Sequence, residues 1–193
     1  MSKYFPFFTF IALSLCARLF MAWAVGDGFE TRVTWTPFIY SAVAAGLILS
    51  SLIAVGLKDS DRTLVAVFFV WLFQWVALGA VVLREPGHAL AAERLHGLFG
   101  IPAFAALFLF KNNNAAFSRG LCAFAWLIIG AAPPLPGFFA HIEVLSALIN
   151  GRLHQLAALT AFSQICLFYV ASRMLFAESS DQIAKASEVV KEQ

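Results

Sequence analysis

Between Gly130 and Gly137 the chain reads Gly-Ala-Ala-Pro-Pro-Leu-Pro-Gly, with apolar, helix-like sequence running into it and out of it. Proline removes a backbone donor and clashes with the preceding turn, so Pro133, Pro134 and Pro136 force any helix here to stop or kink. Gly137 completes the break. At membrane depth such a break is tolerated only where protein or a water-filled cavity surrounds it. One turn further on comes His141, in a segment whose only other charged residue is Glu143. A broken helix carrying a titratable group is how membrane transporters build ion sites.

The membrane setting follows from composition. The chain is 61% hydrophobic and 12% charged, whereas soluble domains carry about 25% charged residues. An all-α, polytopic membrane protein is therefore expected. The net charge of +2 and the lack of a basic run speak against nucleic acid as a partner. Cys16, Cys122 and Cys166 lie far apart inside apolar runs, without metal-ligand spacing, and read as small buried hydrophobes. There is no glycine-rich phosphate loop and no Ser/His/Asp arrangement with a plausible scaffold. No bound cofactor or metal is expected in the chain itself. The single positive charge before a spanning-length apolar run gives no convincing cleavable signal.

A bilayer-crossing helix needs about 20 apolar residues. Seven segments reach or approach that length: 4–25, 37–57, 64–83, 89–110, 116–132, 137–150 and 155–176. Lys58-Asp59-Ser60-Asp61-Arg62, Arg84-Glu85-Pro86-Gly87-His88, Lys111-Asn112-Asn113-Asn114 and Gly151-Arg152-Leu153-His154 separate the later ones. Pro102 interrupts the fourth. Residues 1–176 read as one helical membrane domain and 177–193 as a polar tail, either a surface helix or disordered. Lysine and arginine lean weakly toward an inside N-terminus.

Several ionisable residues fall near or within the spans. Lys3 reads as a snorkelling end charge. Arg18 lies deep enough to need a carbonyl or acid partner. Arg62 is expected to anchor at the membrane surface or to pair with Asp59 or Asp61. Glu93 and His96 share a helix face at i,i+3 and are expected to line the headgroup region. Glu143 sits roughly opposite His141 on its helix, and is expected to be buried against Arg119 or another chain, because an acid facing lipid is costly.

Pro133-Pro134-Leu135-Pro136-Gly137-Phe138-Phe139-Ala140-His141, then Ala157-Ala158-Leu159-Thr160, then Tyr169-Val170-Ala171-Ser172-Arg173-Met174-Leu175-Phe176, resemble the C-terminal end of the subunit 2 family of respiratory complex I, an antiporter-like proton-translocating family. Upstream, Ala17-Arg18-Leu19-Phe20, Val25-Gly26-Asp27 and Asp61-Arg62-Thr63-Leu64-Val65-Ala66 resemble it more loosely. The resemblance implies an antiporter-like membrane domain with a proline-broken helix. It also implies membership of the H+-translocating NADH:ubiquinone reductase, whose other subunits carry FMN and iron–sulfur clusters and reduce ubiquinone. Partners would be other membrane-arm subunits, including a separate chain supplying the N-terminal half, in the lipid bilayer of the mitochondrial inner membrane.

The chain departs from the family pattern. The family lysine after Gly-Phe is His141 here, which keeps a proton-carrying group, since imidazole exchanges protons near neutral pH. Arg62 stands at a family lysine position but cannot release a proton at useful pH. Phe68 and Phe69 replace a Ser-Ser pair, and Thr9 takes the place of the central-helix lysine. The resemblance makes His141, Glu143, Lys3 and Arg62 the proton-translocation candidates. Two other readings stay open: a structural subunit of complex I that has lost proton transfer, and an independent small cation or proton transporter.

Overall fold

The computed structural model describes residues 29–82, 86–111, 113 and 115–191, together with Ala12 and Cys16. Lys3, Thr9, Arg18 and the first apolar segment lie outside the described residues. Among the described residues the fold is all-helical: α1 (Phe29–Gly56), α2 (Ser60–Val82), α3 (Pro86–Phe110), α4 (Ala116–Ile129), α5 (Pro136–Asn150) and α6 (His154–Lys191). Among the described residues, three stretches are long and apolar enough to cross a membrane: Ser60–Gly79, Ala89–Phe110 and His154–Ala177. Tyr40–Gly56 and Ala116–Ile129 are shorter apolar helices. At 1.5 Å per residue, the 15-residue α5 is only about 22 Å long, short of the roughly 30 Å hydrocarbon core.

The polar stretches seen in the sequence do end the helices. Asp59 starts α2 by accepting from the Arg62 backbone N–H at 2.9 Å, the usual work of an acidic N-cap. Thr63 Oγ1 donates to the Asp59 carbonyl at 2.7 Å. Lys111, just past α3, forms an ion pair with Asp61 at the start of α2. Burial pushes the Lys111 ammonium below the ordinary lysine range, and the nearby Asp59 carboxylate opposes that shift.

α1 packs mainly on α2 and α6, while α3 packs on α4, α5 and α2. The core between them is aromatic on one side. Phe68 meets Phe104 edge-on, with ring centroids 5.4 Å apart and planes at 81°. Trp71 lies 4.7 Å from Trp75 and 5.4 Å from Phe104, centroid to centroid. Aromatic pairs in these tilted and edge-on geometries each add about 0.5–1.5 kcal/mol beyond the area they bury.

Two expectations need correction. Pro102 does not interrupt its helix, since α3 runs through it to Phe110. Cys122 and Cys166 are buried, but Cys16 is exposed. Of the two forms open to the polar tail, the helix is the one seen: α6 continues from the last apolar segment to Lys191, because nothing in it breaks a helix.

Candidate functional site

The proline break is a tight hairpin between α4 and α5, and the last four carbonyls of α4 all find partners. At the end of α4, Ala132 N donates to Leu127 O and Ala131 N to Ile128 O, both at 3.0 Å. This paired pattern is the Schellman closure of a helix C-terminus, which puts the residue after the cap in the left-handed region. That residue is Ala131, with φ 52°, while Gly130 before it keeps a helical φ of −69°. Gly130 N donates to Trp126 O at 2.8 Å. The remaining carbonyl, Ile129 O, accepts from the Gln164 side chain of α6 at 3.0 Å. Pro136 then opens α5 at its first turn, where a missing N–H costs nothing. Pro133 and Pro134 are exposed at the tip, joined by a cis peptide bond.

Gly137 lets the two helices meet. A Cβ there would collide with the backbone carbonyl of Ile128, so any side chain would prise α5 away from α4. This close approach fixes where the second turn of α5 delivers His141.

His141 is buried, at 9% exposure, and faces the interior. It lines a small cavity of about 20 Å³ together with Gln74, His96, Gln164, Trp71 and the Gly137–Ala140 edge of α5. The polar groups come from four helices. Gln74 of α2 is 1% exposed; its Nε2 donates to Ser163 Oγ at 2.9 Å and to Gln164 Oε1 at 3.3 Å, both on α6. Ser163 Oγ donates in turn to the Thr160 carbonyl at 2.8 Å. His96 of α3 stacks on Trp71, with centroids 5.1 Å apart and planes at 15°. Its Nε2 lies 3.2 Å from the Trp71 carbonyl, which can only accept, so that nitrogen carries the hydrogen. His141 Nδ1 and Gln74 Oε1 are buried without a hydrogen-bond partner among the described residues.

The other candidates sit elsewhere. Glu143 is exposed on the outer face of α5, and Arg119 is exposed too, so within this chain Glu143 is not buried against Arg119; its expected burial against another chain is a matter for a partner. Their helices turn those positions away from the core that holds His141. Arg62 is exposed at the start of α2, and the acid beside it, Asp61, is taken by Lys111. Glu93 and His96 do share a face of α3, and both are buried within the protein. Glu93 lines a separate outward-opening groove of about 430 Å³ with Arg94 and Trp75. Phe68 is buried within the aromatic core, whereas Phe69 is partly exposed.

Sequence reasoning did not single out Gln74, Ser163, Gln164 or the inward setting of His96. The signal available for the first three was polarity inside spans: each is an amide or hydroxyl in an otherwise apolar run, and such groups turn toward protein in lipid. Arg173 was noted only for its place in a pattern. Its guanidinium closes the end of α1, with Nη1 2.9 Å from Val55 O and Nη2 2.6 Å from Leu57 O, and it lies over the Tyr169 ring. Among the described residues no cluster of three or more His, Cys, Asp or Glu suits a metal ion. No protein-family model, no curated protein and no solved structure matches this chain.

Proposed function

We propose that the chain is a multi-pass, antiporter-like membrane subunit in which His141 takes up and releases protons at the end of a buried polar line. The observation that carries this reading is the placement of His141. The imidazole is buried just beyond a helix break, with Nδ1 unpartnered, on a cavity shared with Gln74 and His96. Intramembrane ionisable groups are costly and mark ion or proton paths. Gln74, Ser163 and Gln164 join α2 to α6 through side-chain hydrogen bonds and extend polarity away from His141.

The assembly rests on the resemblance of the Pro133–His141 and Tyr169–Phe176 stretches to subunit 2 of complex I. On that reading the chain is part of the membrane arm of H+-translocating NADH:ubiquinone reductase in the mitochondrial inner membrane. Other membrane-arm chains would be its partners. FMN, iron–sulfur clusters and ubiquinone belong to the rest of that complex. Native electrophoresis of membranes tests the assembly. Migration of the chain only within a very large NADH-oxidising band supports it. A free small species, competent alone in vesicles, favours an independent transporter instead.

A second reading has its own support. Phe68, at a family serine position, is packed in the aromatic core, and Arg62 cannot cycle a proton. These changes fit a subunit that keeps the shape and has lost the transfer. Replacing His141 with leucine in the assembled complex separates the two: fewer protons moved per NADH oxidised supports transfer, and an unchanged ratio supports the structural role.

A further inference from the structure

We infer that the cavity beneath the proline break is a binding site for one water molecule, held by Gln74 Oε1 against His141 Nδ1; its role in proton transfer rests on the function proposed above, while the site itself does not. Two observations meet here. The cavity measures about 20 Å³, and on this scale a single water needs about 10–15 Å³. Both Gln74 and His141 stand on its wall, and Oε1 of one and Nδ1 of the other are buried without a partner. Leaving a buried acceptor unmet is costly, and buried waters sit where two to four such atoms converge.

The chemistry of the wall sets how the water is oriented. Gln74 spends its Nε2 hydrogens on Ser163 and Gln164, so its amide is locked and Oε1 can only accept. The water therefore donates one hydrogen to Oε1. Its other hydrogen points at Nδ1 when that nitrogen is bare; when Nδ1 is protonated, the water accepts from it instead. An excess proton arriving on this water passes to Nδ1 as one O–H bond breaks and the Nδ1–H bond forms, leaving neutral water behind. Gln74 is thus a positioning residue: it carries no proton itself.

The test is a high-resolution electron cryo-microscopy map of the membrane complex that holds the chain, at a resolution showing ordered buried waters. The wild type is expected to show one water-sized peak within hydrogen-bonding distance of both atoms. Gln74→Met, close in volume but lacking the oxygen, is expected to lose the peak, and Gln74→Glu, which keeps an acceptor oxygen, is expected to retain it. A wild-type map with no peak there while other buried waters are visible overturns the inference. So does a peak unchanged in Gln74→Met. If that variant fails to assemble, the wild-type map alone decides. A peak present alongside proton stoichiometry that ignores His141 keeps the water site and removes the transfer reading.

Discussion

Gln164 donates its side-chain amide to the carbonyl of Ile129 at 3.0 Å, and so α6 satisfies the last carbonyl of α4 before the proline break. Gln164→Leu orphans that buried carbonyl, whose residue is 6% exposed. The expected cost is about 1–3 kcal/mol, read as a lower thermal midpoint of the protein in nanodiscs. Gln155→Leu, on the exposed start of the same helix, should stay within about 0.5 kcal/mol of wild type.

Arg173 ties the opposite end of the molecule. It bonds Val55 O and Leu57 O and approaches Ala54 O at 3.4 Å, meeting the carbonyls that a helix C-terminus leaves open. Arg173→Met should cost about 1.5–3 kcal/mol, the range for hydrogen bonds from a charged donor. Arg173→Lys should recover only part, because one ammonium cannot span the carbonyls a planar fork reaches. Hydrogen exchange at the end of α1 would show the loss locally.

Ala131 occupies the left-handed position that closes α4. A Cβ there costs roughly 1–2 kcal/mol, while glycine adds unfolded-state entropy worth about 0.4–1 kcal/mol. The first effect is the larger, so Ala131→Gly should stabilise by a few tenths to about 1 kcal/mol, measured by thermal unfolding. A loss of stability would mean that this turn is not the left-handed closure described above.

Two glycines should respond with opposite signs. At Gly137 an added methyl meets the Ile128 carbonyl, whereas at Gly120 it meets nothing within 4 Å. Gly137→Ala should therefore destabilise by about 1–3 kcal/mol through overpacking. Gly120→Ala, within α4, should stabilise by about 0.5–1 kcal/mol through helix propensity.

How far the sequence revealed this molecule depends on the length scale of the physics. Helices part at Lys58–Arg62, at Lys111–Asn114 and at the prolines because those signals are local, and each was legible. So was the separation of Glu143 from His141 on their shared helix. That the far face of α5 is exposed, rather than packed on another helix, was not, since a helix does not reveal what covers each of its sides. Pro102 lies within an unbroken helix because packing of α3 on three neighbours outweighs one missing donor. Ala131 rather than the preceding Gly130 takes the left-handed cap conformation, since the bonds to Leu127 and Ile128 decide the register. Gln74, His96 and Gln164 meet His141 only through tertiary packing across four helices, and no spacing along the chain encodes that.

On the proposed reading of the chain as a complex I subunit, the proton count per NADH oxidised, measured in sealed membrane vesicles carrying His141 variants, tests the central claim most directly. With assembly matched by native electrophoresis, His141→Leu is expected to lower the ratio, and His141→Lys, which restores a protonatable group, to recover part of it. A fully assembled His141→Leu complex moving as many protons per NADH as wild type would contradict the claim.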